Sequence, residues 1–304
     1  MSDPLRLVYV LVSDPDDYFA EMAIVSMWAA RHLMPGIPIT VLTDAQTESG
    51  LAGVRAKVRD FATELKVVET GTLDDPMARS RWIKTTMRRH LTGDFLYLDV
   101  DAVPVRPLDE LGTIAGSVAA ALDGNVPAWK FVFHDYERVC FEKTGWPFPI
   151  RPYFNGGVLW VRDDPLAHRF FDLWHELWQE SRRVGPPKDQ PGLNYANLQL
   201  GHVIQELPPQ WNALSALHTS AIWRAKVIHY TSIRFEERDD VEFIRIAKSL
   251  RSTGSIDQRR LLTVLRTGYP WTDRNSFDNH ILLRKYWQLP LVAARRAAAM
   301  RVRP

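Results

Sequence analysis

The chain has 304 residues, of which 46% are hydrophobic and 24% charged, and its formal net charge is +2. That is an ordinary soluble composition, long enough for one large α/β domain that needs no covalent staples. The near balance of charge argues against a general nucleic-acid binder, and the single cysteine, Cys140, rules out an intramolecular disulfide framework and fits a reducing compartment, the cytoplasm by default.

The first apolar stretch, residues 5–12, is broken by Arg6 and lacks the basic lead of a signal peptide; it reads as a strand over 7–12. Apolar residues at helical spacing then predict a helix over 18–33, ended by Met34-Pro35-Gly36. Strands are expected over 39–42 and 65–68, and a basic helix over 80–91. Next comes Phe95-Leu96-Tyr97-Leu98-Asp99-Val100-Asp101, a short aromatic and branched run behind the turn residues Thr92-Gly93-Asp94. Strands over 117–122, ending on Asp123, and over 156–161 flank an aromatic-rich segment, 129–154. A helix over 170–180, a short late strand over 226–230 and a helical region over 239–267 complete the body. No apolar run reaches the length of a membrane span. The alternation argues for a mainly parallel sheet with helices on both faces.

The run that stops on Asp99 and Asp101 carries the chemistry. Two acids at i and i+2 on a regular strand share one side, and their repulsion calls for a positive charge between them. In open α/β sheets ligands collect outside the carboxyl ends of the strands, where these two acids are expected. Hard oxygen ligands suit Mg²⁺ or Mn²⁺, ions that complete their shells with nucleotide phosphate oxygens. The alternative is a pair that caps the following turn, helped by Pro104 and Pro107.

Leu96-Tyr97-Leu98-Asp99-Val100-Asp101, Tyr153-Phe154-Asn155-Gly156-Gly157-Val158, Asp189-Gln190-Pro191-Gly192-Leu193-Asn194, Leu207-Pro208-Pro209-Gln210-Trp211-Asn212 and Ile228-His229-Tyr230 follow in this order. Together they make the chain resemble glycosyltransferase family 8 over residues 5–235. The resemblance implies the GT-A fold, a Rossmann-like mixed and mainly parallel sheet flanked by helices, over 1–270, with a helical basic extension over 271–304. It implies a hexosyltransferase that uses Mn²⁺ (or Mg²⁺) and a nucleotide-sugar donor, a UDP-hexose, to modify an acceptor hydroxyl on a saccharide or glycolipid.

The resemblance also assigns roles. Asp99, Asp101 and His229 would hold the metal. Lys84, Asn155, Gly156 and Asp189 would bind the donor, with the glycines admitting close backbone approach, while Gln190 would lie beside the anomeric carbon. Ser13 and Tyr18, at the end of the first strand, mark where a uracil-type base would sit; Tyr18 either stacks on it or packs on the first helix. Lys84 can also be read as part of a solvated face with Arg81, Arg88 and Arg89, and Asp189 as a helix cap. Gln190 is a poor nucleophile, which fits retention of anomeric configuration through a short-lived ion pair. An inverting transferase would instead need a carboxylate base, for which Asp123, Asp163 and Asp164 are candidates, and a non-catalytic sugar-nucleotide-binding protein is a third reading.

One departure stands out. The family's glycine and diphosphate-contacting lysine after the metal histidine are replaced by Ser232 and Phe235, leaving Arg234, Arg224 or Lys226 as substitutes. From His280 onward there is no acid, and basic residues alternate with Leu, Trp and Tyr; this tail either makes a peripheral contact with an anionic inner-membrane surface or packs on the body as a last helix.

Overall fold

The structure is a computed structural model that describes residues 5–108, 110, 113–185, 187–217, 220–231 and 239–301. In chain order its strands are β1 (Arg6–Leu11), β2 (Ile39–Thr43), β3 (Glu64–Val67), β4 (Phe95–Leu98), β5 (Ala102–Pro104), β6 (Val118–Leu122), β7 (Phe154–Val161), β8 (Ile204–Leu207), β9 (Ala213–Leu214) and β10 (Val227–His229). The helices are α1 (Phe19–Leu33), α2 (Ala45–Gly50), α3 (Val58–Phe61), α4 (Pro76–Thr86), α5 (Asp135–Thr144), α6 (Pro165–Ser181), α7 (Gln190–Gln199), α8 (Glu242–Thr253), α9 (Gln258–Thr267), α10 (Phe277–Leu282) and α11 (Leu289–Arg301).

Seven strands form the main sheet in the order β3-β2-β1-β4-β7-β6-β8. All pairings are parallel except those of β7, which runs against both β4 and β6. Strand alternation divides the interior in two. Leu7, Tyr9 and Leu11 of β1 join one core with α1, α8 and the small sheet, while Val8 and Val10 join the other with α4, α6 and α7. Because α1 lies between the main sheet and α8, it is apolar nearly all round, with Met22, Ala23, Ile24, Val25 and Met27 fully buried.

Three short strands make a second sheet, β5-β10-β9, with β10 antiparallel to β5. The chain therefore leaves the main sheet at Leu98 and enters the small one at Ala102. The expected strand through Asp101 is in fact a strand and a turn: Ala102 N donates to Asp99 O at 2.9 Å, closing a tight bend over the two acids. Other boundaries shift for local reasons. The helix expected over 80–91 starts at Pro76 behind the cap Asp75, whose carboxylate accepts from Ala78 N at 2.8 Å, and ends at Thr86. The region 239–267 breaks at Gly254, whose φ of 73° terminates α8 and separates it from α9. The strand β8, absent from the sequence reading, pairs with β6 at the edge.

A buried ion network ties the end of the body to its beginning. Glu21 of α1, with its side chain 1% exposed, meets Arg55 at 3.1 Å and Arg251 of α8 at 2.9 Å. At the other end of the chain, Leu283 is buried in the first core and Lys285 Nζ donates to Thr267 O at 2.5 Å, so the segment after residue 270 is anchored to the body at these points. Removing Glu21 would take from Arg55 and Arg251 the buried carboxylate they share, leaving them chiefly the backbone carbonyls of residues 14–17 as acceptors. The Glu21→Ala variant is expected to lose about 3 kcal/mol, the low end for a broken buried pair because Arg251 is partly solvated; urea unfolding of the variant against the wild type measures it.

Candidate active site

The bend between the two sheets, the start of β7, the start of α7 and the end of β10 all meet beyond the carboxyl ends of the central parallel strands of the main sheet. Asp99 is held there by its own N–H, which donates to Gly157 O at 2.8 Å, and Asp101 by its carbonyl, which accepts from Tyr230 N at 2.9 Å. Antiparallel pairing sets His229 opposite Ala102, next to Asp101. His229 Nε2 lies 3.2 Å from Asp101 Oδ1 and 4.0 Å from Asp99 Oδ2, and one donor atom from each of the three residues falls within 4.8 Å of the others. Asp101 and His229 are buried while Asp99 remains partly open.

This set fits a hard divalent cation. Two carboxylates and one imidazole are the mixed oxygen and nitrogen donors that suit Mn²⁺, and the His229 ring is steered by a second bond, from Nδ1 to Asn212 Oδ1 at 2.9 Å. Burial works against a charged His229, but Asp101 and Asp99 outweigh it and raise the imidazole pKa above its usual value. The approach is possible because position 157 carries no side chain: a Cβ there would stand 2.2 Å from His229 Cε1. At Gly156 a Cβ would meet Lys84 Nζ at 3.6 Å, an ordinary contact, so the close approach in this part of β7, a strand and not the expected turn, is made by the histidine at Gly157.

Lys84 Nζ bridges Asp99 Oδ1 at 3.1 Å and Asp189 Oδ2 at 3.2 Å, so it is buried in the site and not on a solvated face. Tyr97 OH donates to Asp99 Oδ1. Helix α4 is fixed for this task by α6: Trp82 packs edge-on to His175 at 4.7 Å, and Thr85 Oγ1 bonds His175 Nδ1 at 2.8 Å. Burial, with Arg89 nearby, pushes His175 down to about 4, so this link is made by a neutral ring. Asp189 precedes α7 but its side chain does not cap the helix; it pairs with Lys84 and, at 2.8 Å, with Arg81 Nε. Burial would raise the Asp189 carboxyl, but Lys84 and Arg81 hold it below the usual carboxylate range.

Gln190 Nε2 donates to Asp123 Oδ2 at 2.7 Å, and Asn155 Nδ2 donates to Asp123 Oδ1 at 3.0 Å. Asn155 Oδ1 in turn accepts from Gly157 N at 2.9 Å and Asn212 Nδ2 at 2.8 Å, so only one N–H of this amide is left outside the network. Of the three carboxylates considered as bases, only Asp123 is here. Asp163 and Asp164 follow the far end of β7, where Asp163 accepts from Gly93 N at 2.6 Å and Asp164 caps α6.

Ser13 and Tyr18 lie in the loop after β1, which parallel pairing with β4 opens at the same end as Asp99. Ser13 Oγ donates to Asp17 Oδ1 at 2.6 Å, and the Tyr18 ring is covered on one side by the Arg251 guanidinium at 3.7 Å. Of the residues considered for a diphosphate clamp, Lys226 pairs with Glu110 at 2.9 Å, Arg224 lies over the neighbouring Trp223 ring, and Ser232, Arg234 and Phe235 fall outside the described residues. Arg81, Tyr97 and Asn212 complete the site, and the sequence motifs alone give them no role; Asn212 ends the motif Leu207–Asn212, and Arg81 stands one helical turn before Lys84 on the same face.

No protein-family model and no curated protein matches this sequence. Among solved structures the chain is similar to the galactosyltransferase LgtC in complex with donor and acceptor sugar analogues, with 19% identity and a TM-score of 0.55 over 84% of this chain and 99% of that one. It is also similar to an active-site mutant of LgtC, with 17% identity and a TM-score of 0.57 over the same shares. The seven-stranded sheet with one reversed strand, the small second sheet and this similarity give the chain the GT-A fold of the nucleotide-sugar glycosyltransferases.

Proposed function

We propose that this protein is a cytoplasmic glycosyltransferase that moves a hexose from a UDP-sugar to an acceptor hydroxyl on a saccharide or glycolipid, with Mn²⁺ or Mg²⁺ held by Asp99, Asp101 and His229. The observation that carries the reading is the convergence of those three groups with Lys84, Asp189 and Gln190 at one end of the central strands. LgtC, of the same fold, was crystallised with donor and acceptor sugar analogues, and the free, buried thiol of Cys140 supports a reducing compartment.

A bound divalent cation supplies Lewis-acid stabilisation of the negative charge that builds on a departing diphosphate. Lys84 and Arg81 keep Asp189 ionised as an acceptor for sugar hydroxyls, and Lys84 at the same time screens Asp99. Asn155 offers its remaining N–H, and Gly156 its backbone, to the donor sugar. Ser13 and Tyr18 are assigned to the base. Anchoring Nε2 on Asp123 makes Oε1 the outward pole of the Gln190 amide, a negative dipole end suited to a positive anomeric carbon. Both oxygens of Asp123 are engaged, Oδ1 by Gly124 N at 2.9 Å as well as by Asn155 and Oδ2 by Gln190, so neither is turned to an acceptor hydroxyl, which favours retention over inversion. The position altered in the LgtC active-site mutant is likewise a glutamine.

The raised His229 pKa sets the pH response. In the metal-free protein its proton persists above the unfolded value of about 6.5, and a cation must displace it, so binding strengthens as pH rises through the raised value. The sign for the metal-free fold is opposite: the His229–Asp101 pair contributes fully below about pH 6.5 and fades as pH rises through the folded-state pKa. A thermal-shift panel of nucleotide sugars, with and without Mn²⁺, is expected to show the largest shift for a UDP-hexose with Mn²⁺, and a larger one at about pH 8 than at about pH 6. A shift indifferent to Mn²⁺ would remove the metal from the reading, and binding without release of UDP across a broad acceptor set would leave a non-catalytic binding protein.

The Gln190→Ala variant is expected to lose about 10²-fold in kcat with a nearly unchanged donor KM; NMR of the product is expected to show the anomer of the donor, and the opposite anomer would establish inversion. For the tail, exposed Trp287, Tyr286 and Leu291 beside Arg295 support contact with an anionic bilayer, although Arg284 and Arg296 are turned onto Trp223 and Phe277. Because Leu283 is part of the core, substitution is a cleaner test than truncation: Trp287→Ser with Tyr286→Ser is expected to reduce pelleting with phosphatidylglycerol liposomes, and unchanged pelleting would discard the contact.

A further inference from the structure

A chain of buried amides joins the metal-holding histidine to the residue that anchors Gln190, and its polarity can be read without ambiguity. A backbone N–H can only donate, so the Asn155 atom 2.9 Å from Gly157 N is its oxygen. Asn155 then presents Nδ2 to Asp123, at 3.0 Å, and its oxygen to Asn212. Asn212 must answer with Nδ2, at 2.8 Å, and so turns Oδ1 to the histidine, at 2.9 Å. The His229 nitrogen facing it therefore carries hydrogen, and in the neutral ring the lone pair is left on Nε2, towards Asp101 and Asp99. Every link donates in the same direction, from His229 through Asn212 and Asn155 to Asp123, the carboxylate that also receives Gln190.

The middle of the chain is rigidly supported. Asn212 is 1% exposed and ends the short helical turn Pro209–Asn212 that leads into β9, where Leu214 is paired with His229. Its backbone carbonyl accepts from Asn125 Nδ2 at 2.9 Å, and Asn125 Oδ1 accepts from Leu214 N at 2.8 Å. A buried asparagine with both ends committed has one orientation available.

We infer that Asn212 is a positioning residue that fixes His229 with Nε2 aimed at the cation and, through Asn155 and Asp123, ties the geometry of the metal-holding cluster to that of Gln190. This rests on the reading of the site as metal-dependent. Two replacements separate the two links. Asn212→Ala removes both, leaving the imidazole without its Nδ1 partner. Asn212→Asp keeps an acceptor for His229 but sets an oxygen against Asn155 Oδ1, breaking only the path to Asp123.

Mn²⁺ binding followed by electron paramagnetic resonance, without any turnover, is expected to weaken by about 10- to 100-fold in Asn212→Ala. Asn212→Asp is expected to bind Mn²⁺ within about threefold of the wild type, yet to lose about tenfold in kcat with little change in donor KM. Independent of any variant's folding, nitrogen NMR of the metal-free wild type at a pH where His229 is neutral is expected to show the Nδ1–H tautomer. An Nε2–H tautomer, wild-type Mn²⁺ affinity in folded Asn212→Ala, or wild-type kcat in Asn212→Asp would overturn the inference. If the wild type itself bound no Mn²⁺, the metal-dependent reading would fail instead, with the tautomer measurement still deciding the orientation.

Discussion

Negative charge gathered in one place is the constraint around which this edge of the molecule is organised. Asp99, Asp101, Asp123 and Asp189 converge there, and two bare carboxylates about 4 Å apart repel by roughly 4 kcal/mol at the effective dielectric of a partly buried site. Each is answered differently. Lys84 sits between Asp99 and Asp189, Arg81 adds a second cation to Asp189, His229 lies against Asp101, and Asp123 is solvated by uncharged N–H donors. The differences have consequences: Lys84 and Arg81 hold the Asp189 carboxyl below the usual carboxylate range against its burial, while Asp101 and Asp99 raise the imidazole that faces them.

The fold makes this gathering possible by changing sheets in mid-stride. Paired strand in the main sheet ends at Leu98 and in the small sheet begins at Ala102; between them the chain turns, its ends still held by Asp99 N–H on Gly157 O and by Tyr230 N–H on the Asp101 carbonyl, and the two acidic side chains come to a common point. The same turn brings β10 alongside, and with it an imidazole from more than a hundred residues later in the chain. Helices α4 and α7 then deliver their cation and amide from the opposite face, held by the aromatic packing of Trp82 and His175 and by the close seating of Gly192 against the backbone of Trp178.

Much of this was legible in the sequence. The alternation of strand and helix, the apolar run ending on acids and the order of five short motifs specified the fold, and Asp99, Asp101 and His229 do come within one cation's reach of each other. What the sequence could not give was set by contacts at long range. Strand periodicity puts the two acids side by side, whereas in the fold a turn directs them. Glycines at 156 and 157 suggest room for a ligand, but the group that needs the space at 157 is the protein's own histidine. Asn212 looked like the end of a motif because its partners, His229 and Asn155, lie 17 and 57 residues away. Asp163 and Asp164 were plausible bases only while the direction of β7 was unknown.

That direction has a consequence for how the chain finds its native state. In β7, Val158 and Trp160 face one core and Leu159 and Val161 the other, so a slip of one residue against β4 would send each apolar side chain to the wrong layer. In one sense of slip it would also push Val158 into the space that only a bare α-carbon can leave for the imidazole. Packing and chemistry thus proofread the same alignment, and a misthreaded copy would be penalised twice before it could ever meet a substrate.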